Sequence, residues 1–133
     1  MSANRTTSPW AGKSILVVDD YPAIRRAIKE IVASLDLVVT EAENGIEAQK
    51  ILASKPFDIV LTDLVMPEMD GFELAEALRS TPQFRRLPIV VISTHDDTKY
   101  IIRALRLGVD DYLIKPPTLD MVKVVLGRIF DYE

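Results

Sequence analysis

The chain has no cysteine and a single histidine, His95, which excludes a disulfide framework, a thiolate metal centre and the usual zinc constellations. Any metal chemistry must therefore use oxygen ligands. Positive charge is also short: 16 Lys and Arg stand against 20 Asp and Glu, for a net charge of −4. Arg25-Arg26 and Arg85-Arg86 are only local clusters, so direct nucleic-acid binding is not expected. Nothing approaches a membrane-spanning run, and residues 1–13 are Ser/Thr-rich without the apolar core that a signal peptide requires. The expectation is a cytoplasmic protein that does not engage a membrane. Glycine is scarce, with five in the chain, and the residues after the first apolar run, Asp19-Asp20-Tyr21-Pro22, offer repelling charge where a nucleotide-binding loop would offer glycine and backbone amides.

What the chain does have is a core. With 133 residues, 48% of them hydrophobic and 27% charged, it suits one globular domain. Four short apolar runs each stop at a residue capable of chemistry: residues 15–18 at Asp19-Asp20, 59–62 at Asp63, 89–92 at Ser93 and 112–114 at Lys115. Runs of this length, rich in Val and Ile, read as strands buried on both faces of a parallel sheet. A further strand over 38–42 ends on nothing reactive.

Helical patterns separate the strands. Pro22 suits a first helical turn, with Ile24, Ala27, Ile28, Ile31, Val32 and Leu35 on one apolar face; Ile46, Ala48, Ile51 and Leu52 form a second helix after the Asn44-Gly45 turn. Phe72, Leu74, Ala75 and Leu78 face inward from a third that ends by Pro82. Ile101, Ala104 and Leu105 do so from a fourth, with Gly108 at a left-handed C-cap and the last strand over 109–114. Thr118 caps a fifth helix bearing Leu119, Val122, Leu126 and Ile129 toward the sheet. Residues 1–13 show no periodicity and are expected to be a disordered extension, with Trp10 loosely attached at the surface. The domain then occupies 14–133. Five βα units with right-handed crossovers predict a doubly wound, flavodoxin-like α/β fold, a (βα)5 parallel sheet of strand order 2-1-3-4-5. That order sets the first and third strands side by side, and so brings Asp19, Asp20 and Asp63 together where such sheets bind ligands.

Singly, an Asp after a strand is commonly a turn or helix-capping residue, and Ser93 or Lys115 alone is a loop residue. Their joint placement at the carboxyl ends carries the inference. Carboxylates about 4 Å apart repel by roughly 4 kcal/mol per pair at an effective dielectric near 20, so three ionised together call for a cation or a proton. Magnesium suits a site with few carboxylates because it keeps several waters and is commonly completed by a phosphate. Lys115 can neutralise a phosphoryl oxygen, Ser93 can donate to another, and Asp63 can itself be the nucleophile, forming an aspartyl phosphate.

The segments Ile15-Leu16-Val17-Val18-Asp19-Asp20, Asp63-Leu64-Val65-Met66-Pro67-Glu68-Met69-Asp70-Gly71, Pro88-Ile89-Val90-Val91-Ile92-Ser93 and Asp110-Asp111-Tyr112-Leu113-Ile114-Lys115-Pro116 resemble the receiver domain of two-component response regulators, of the chemotaxis-regulator type. The resemblance runs in order over about 14–130. It implies that Asp63 accepts a phosphoryl group from a phosphohistidine, and that Asp20, Asp63 and the backbone carbonyl of Val65 ligate Mg2+, with Asp19 contributing directly or through water. It also implies that Ser93 and Lys115 hold the phosphoryl oxygens, that Tyr112 is the aromatic switch residue, and that a cis Lys115-Pro116 bond aims the ammonium inward. Thr94 follows Ser93, where the family usually has a small residue.

The function expected is a phosphorylation-dependent signalling switch, as a stand-alone receiver or the receiver piece of a longer chain, and not a turnover enzyme apart from its own dephosphorylation. A sensor histidine kinase or histidine phosphotransferase should dock near the first helix beside Pro22 and Ile24. A downstream protein or a second copy should use the fourth helix, fifth strand and fifth helix. Two rivals are a haloacid-dehalogenase-like phosphotransfer enzyme, which wants a second Asp where this chain has Val65, and a phosphorylation-independent interaction module.

Overall fold

A computed structural model describes residues 7–131. Its strands are β1 (Ser14–Val18), β2 (Val38–Ala42), β3 (Ile59–Thr62), β4 (Ile89–Ser93) and β5 (Asp111–Ile114), alternating with helices α1 (Pro22–Ala33), α2 (Gly45–Ser54), α3 (Gly71–Arg79), α4 (Thr98–Arg106) and α5 (Leu119–Leu126). All strand pairings are parallel and the order is β2-β1-β3-β4-β5, as expected. β1, β3 and β4 are central and almost wholly buried, which is why their sequences are apolar at successive positions.

Period-two alternation divides the core into two layers. Ile15, Val17, Ile59, Leu61, Val90 and Ile92 pack with Ile28 and Val32 of α1 and Val122, Val125 and Leu126 of α5. Leu16, Val18, Val60, Ile89 and Val91 pack against α2, α3 and α4 on the other face. The helix starts follow the local chemistry: Pro22 lies in the first turn of α1, Asn44 accepts from the Glu47 N–H, Asp70 and Glu73 form a reciprocal capping box, and Thr118 accepts from the Met121 N–H. Gly108 takes φ +91° just past α4, where a side chain would be strained.

Several expectations are corrected. Trp10 is buried at 7% exposure, packed against the α1–α5 layer, with its indole N–H donating to Asp131 Oδ1 at 3.0 Å. The Ser8 N–H reaches Asp36 Oδ2 and the Gly12 N–H reaches the Asp36 carbonyl, so residues 8–13 form a strap across the molecule. The expected disorder of 1–13 does not hold there, and for residues 1–6 it lies outside the described residues. Leu105 and Leu119, expected inward, are exposed at 49% and 41%, as is Ala27. β5 begins at Asp111 because Asp110 turns its carboxylate onto the Ile89 N–H and onto Arg79. A π-helical turn, Gly127–Asp131, extends α5. Among the described residues no helix is long and apolar enough to cross a membrane.

Candidate functional site

The carboxyl ends of β1, β3, β4 and β5 converge as the strand order requires. Asp63 is fixed through its backbone: its N–H donates to the Val18 carbonyl at 2.9 Å, and the Thr62 hydroxyl donates to its carbonyl. Its side chain is anchored as well, with Oδ1 accepting from the Leu64 N–H at 2.8 Å. Gly71 approaches this turn so closely that a Cβ there would run into the Asp63 carbonyl, which accounts for the glycine at the start of α3. Asp19 is buried and doubly engaged: Oδ1 accepts from the Tyr21 N–H at 2.9 Å and Oδ2 from Lys115 Nζ at 2.8 Å. Lys115 Nζ is also 3.4 Å from Asp63 Oδ1, and the Lys115-Pro116 bond is cis. Asp20 alone of the three is exposed.

One oxygen from each of Asp19, Asp20 and Asp63 lies within 4.8 Å of the others. Three carboxylates against one ammonium leave a local excess of negative charge, and the donors are hard oxygens. This set fits a divalent cation such as Mg2+, and Val65 lines the same cleft. Burial pushes the Asp63 carboxyl above its ordinary pKa, Lys115 opposes that rise and the neighbouring Asp19 adds to it.

The cleft, of about 340 Å3, is lined by Asp20, Asp63, Val65, Thr94, His95 and Lys115 together with Tyr21 and Ile24. Ser93 is fully buried at the end of β4, its Oγ accepting from the His95 N–H at 3.1 Å, while Thr94 faces the cleft. Tyr112 extends toward this loop and donates its hydroxyl to the His95 carbonyl at 2.6 Å. Burial raises its phenol pKa, and the adjacent Ser93 hydroxyl offsets part of the rise.

Of the expected site residues, Asp20, Asp63, Val65 and Lys115 line the cleft, buried Asp19 meets Lys115 beside it, and buried Ser93 and half-buried Tyr112 bond His95 from behind. Sequence reasoning gave no role to Arg25, which donates from Nη1 to the Asp19 carbonyl at 2.7 Å and from Nε to Glu41 Oε1 at 3.1 Å. An Arg three residues after a Pro carries no signal of a bond made back across the preceding turn. His95 is half-buried with its ring 4.6 Å from that of Tyr100.

A five-stranded doubly wound sheet with an acidic cluster and a lysine at its carboxyl edge defines a flavodoxin-like α/β domain with its site at the strand ends. Residues 15–126 match the family model of the response regulator receiver domain, and the chain belongs to that family. It is 40% identical over 119 residues to chemotaxis protein CheY1 of Helicobacter pylori, covering 85% of this chain and 96% of that protein. Identity to the chemotaxis protein CheY of Pseudomonas aeruginosa is 36% over 118 residues, covering 88% and 95%. Among solved structures, Vibrio cholerae CheY4 superposes with a TM-score of 0.84 at 28% identity, covering 90% of this chain and all of that one. The receiver domain of the Pseudomonas aeruginosa sensor histidine kinase PA1611, solved with a magnesium ion coordinated in its active-site cleft, gives 0.82 at 29% identity, covering 90% and 98%.

Proposed function

We propose that this receiver domain works as a phosphorylation-dependent switch in a two-component phosphorelay, with Asp63 accepting the phosphoryl group from the phosphohistidine of a sensor kinase or phosphotransferase. The observation that carries the reading is the position of Asp63, on the central strand, beside the ammonium of Lys115 and the acidic pair Asp19-Asp20. Asp19, Asp20, Asp63 and the Val65 carbonyl are the groups to hold Mg2+, which when bound offsets the charge of the carboxylates and of the phosphoryl oxygens. Asp63 attacks phosphorus in line with the departing imidazole nitrogen, and the Leu64 N–H keeps its carboxylate in one orientation. Lys115 follows the negative charge from carboxylate to phosphoryl oxygen. Ser93 donates to a second phosphoryl oxygen, which requires the 93–95 loop to yield.

The receiver unit is 14–133, and a cytoplasmic setting belongs to the same reading. An almost wholly apolar groove of Ala23, Ile24, Ala27 and Ile28 with Pro116 and Pro117 adjoins the cleft and supports docking of the phosphodonor on α1. Exposed Ile102, Leu105 and Ile114 support the α4–β5–α5 face as the place where a downstream protein or a second copy is met. Val65 occupies the position at which a dehalogenase-type enzyme would need its second Asp, and the intact site argues against a phosphorylation-independent module. Incubation with acetyl phosphate and Mg2+ followed by mass spectrometry should place one phosphoryl group on Asp63. Undiminished labelling of Asp63→Asn would overturn the assignment.

A further inference from the structure

The loop that carries Asp19 and Asp20 is held from outside the cleft. β1 leaves the sheet in steps: the Val18 carbonyl accepts from the Asp63 N–H at 2.9 Å, and the Asp19 N–H donates to the Ala42 carbonyl at 3.1 Å. The next acceptor along the chain, the Asp19 carbonyl, lies past the ladder, and Arg25 Nη1 takes it at 2.7 Å. The Arg25 backbone N–H meanwhile donates to the Tyr21 carbonyl in the first turn of α1, so one residue ties both ends of the Asp19–Tyr21 turn. From behind, Glu41 of β2 accepts the Arg25 Nε at 3.1 Å and Lys29 Nζ at 3.3 Å. Burial would raise the Glu41 carboxyl, but Lys29 and Arg25 outweigh it and hold the group below its ordinary pKa. The Arg25 side chain is 13% exposed, which favours a fixed fork over a solvated charge.

Asp20 has no comparable anchor. Among the described residues its carboxylate takes part in no hydrogen bond or ion pair, so no side-chain partner holds its aim toward Asp63. The Asp19 carbonyl belongs to the peptide plane that joins it to Asp20, and fixing that plane fixes the Asp20 Cα, the point from which its side chain reaches toward Asp63. We propose that Arg25, braced by Glu41, is a positioning residue of the acidic pair, holding the Asp19-Asp20 peptide so that Asp20 meets Asp63 around one cation. The inference rests on the Mg2+ reading of the site.

Its test turns on a sign. Arg25 is a positive charge near a cation site, so if it acted only through space, a neutral replacement would tighten divalent binding. Loss of positioning weakens it instead. Titration calorimetry of the whole chain with MgCl2, with cooperative thermal unfolding as the check on folding, should show Arg25→Met binding about tenfold more weakly, the scale typical of groups that orient metal ligands. Arg25→Gln, equally neutral but able to donate once to the carbonyl, should fall between it and the native protein. If one variant does not fold, the other decides. Affinity equal to or tighter than native in a folded neutral variant overturns the role of Arg25. Absence of Mg2+ binding by the native chain would instead overturn the site reading on which it stands.

Discussion

At the scale of single residues two side chains, Val65 and His95, line the cleft with Asp63, and a water hydrolysing an aspartyl phosphate there is expected to meet them. Val65 is exposed at 61% and offers such a water no hydrogen bond. Loss of a positioning group typically costs a proton-transfer-assisted step a factor of about ten or more, so the phosphorylated state should be long-lived relative to receivers with a polar residue at this position. Following the loss of phosphate from Asp63, Val65→Asn should accelerate decay by about tenfold. Decay that is slower or unaltered in that variant would show that Val65 does not limit hydrolysis. His95→Ala, made separately, should slow decay if the imidazole orients the water from the other side. Its ring lies 4.6 Å from that of Tyr100, and the residue lines the cleft.

At the scale of elements, the strap of residues 8–13 joins the two ends of the described chain. Trp10 closes one layer of the core beneath α5, its indole N–H donating to Asp131 in the π-helical turn, and Lys13 Nζ lies 4.6 Å from the centre of the Phe130 ring. Truncating a buried aromatic to alanine costs about 3–5 kcal/mol, and the loss of one hydrogen bond about 1 kcal/mol. Urea unfolding followed by circular dichroism should show the larger loss in Trp10→Ala and the smaller in Trp10→Phe. An unchanged midpoint in Trp10→Ala would mean that the strap contributes nothing. The fold's frame was legible because each central strand is an apolar run that stops at a polar residue, a signal confined to a few neighbours in sequence. The strap was not, because the burial of Trp10 depends on Gly127 and Asp131, far along the chain. The same limit explains Leu105 and Leu119: a short amphipathic pattern marks a helix but leaves undecided which residues at the margin of its apolar face reach the sheet. In the site, Asp63 and Lys115 could be assigned from strand ends, whereas Arg25 acts through a bond made across a turn, and the burial of Ser93 depends on the loop that follows it.

At the scale of the whole molecule the question is how a phosphoryl group in the cleft would be felt on the α4–β5–α5 face. Tyr112 stands between them. Its hydroxyl already rests on the His95 carbonyl while Ser93 Oγ holds the His95 N–H, so the 93–95 loop is gripped at both its donor and its acceptor. The His95 ring contacts Tyr100 of α4, Tyr100 stacks on Phe72 of α3 at 6.1 Å, and Arg103 lies 4.0 Å over Phe72. Drawing the Ser93 hydroxyl toward a phosphoryl oxygen releases the His95 N–H and obliges the loop, with α4 stacked on it, to find another arrangement. Because the Tyr112 hydroxyl and the Ser93 Oγ hold the same residue, His95, the modification is expected to act as a shift in the balance of loop arrangements. Amide spectra of the beryllofluoride-bound protein should therefore show changes at Ile102, Leu105 and Tyr112 as well as around Asp63. In Tyr112→Phe, which keeps the ring but not the donor, binding at Asp63 should persist while the changes on α4 shrink. Changes confined to the neighbourhood of Asp63 in the native protein would show that cleft and output face are not coupled, and equal changes on α4 in the Phe variant would show that the hydroxyl is not what couples them.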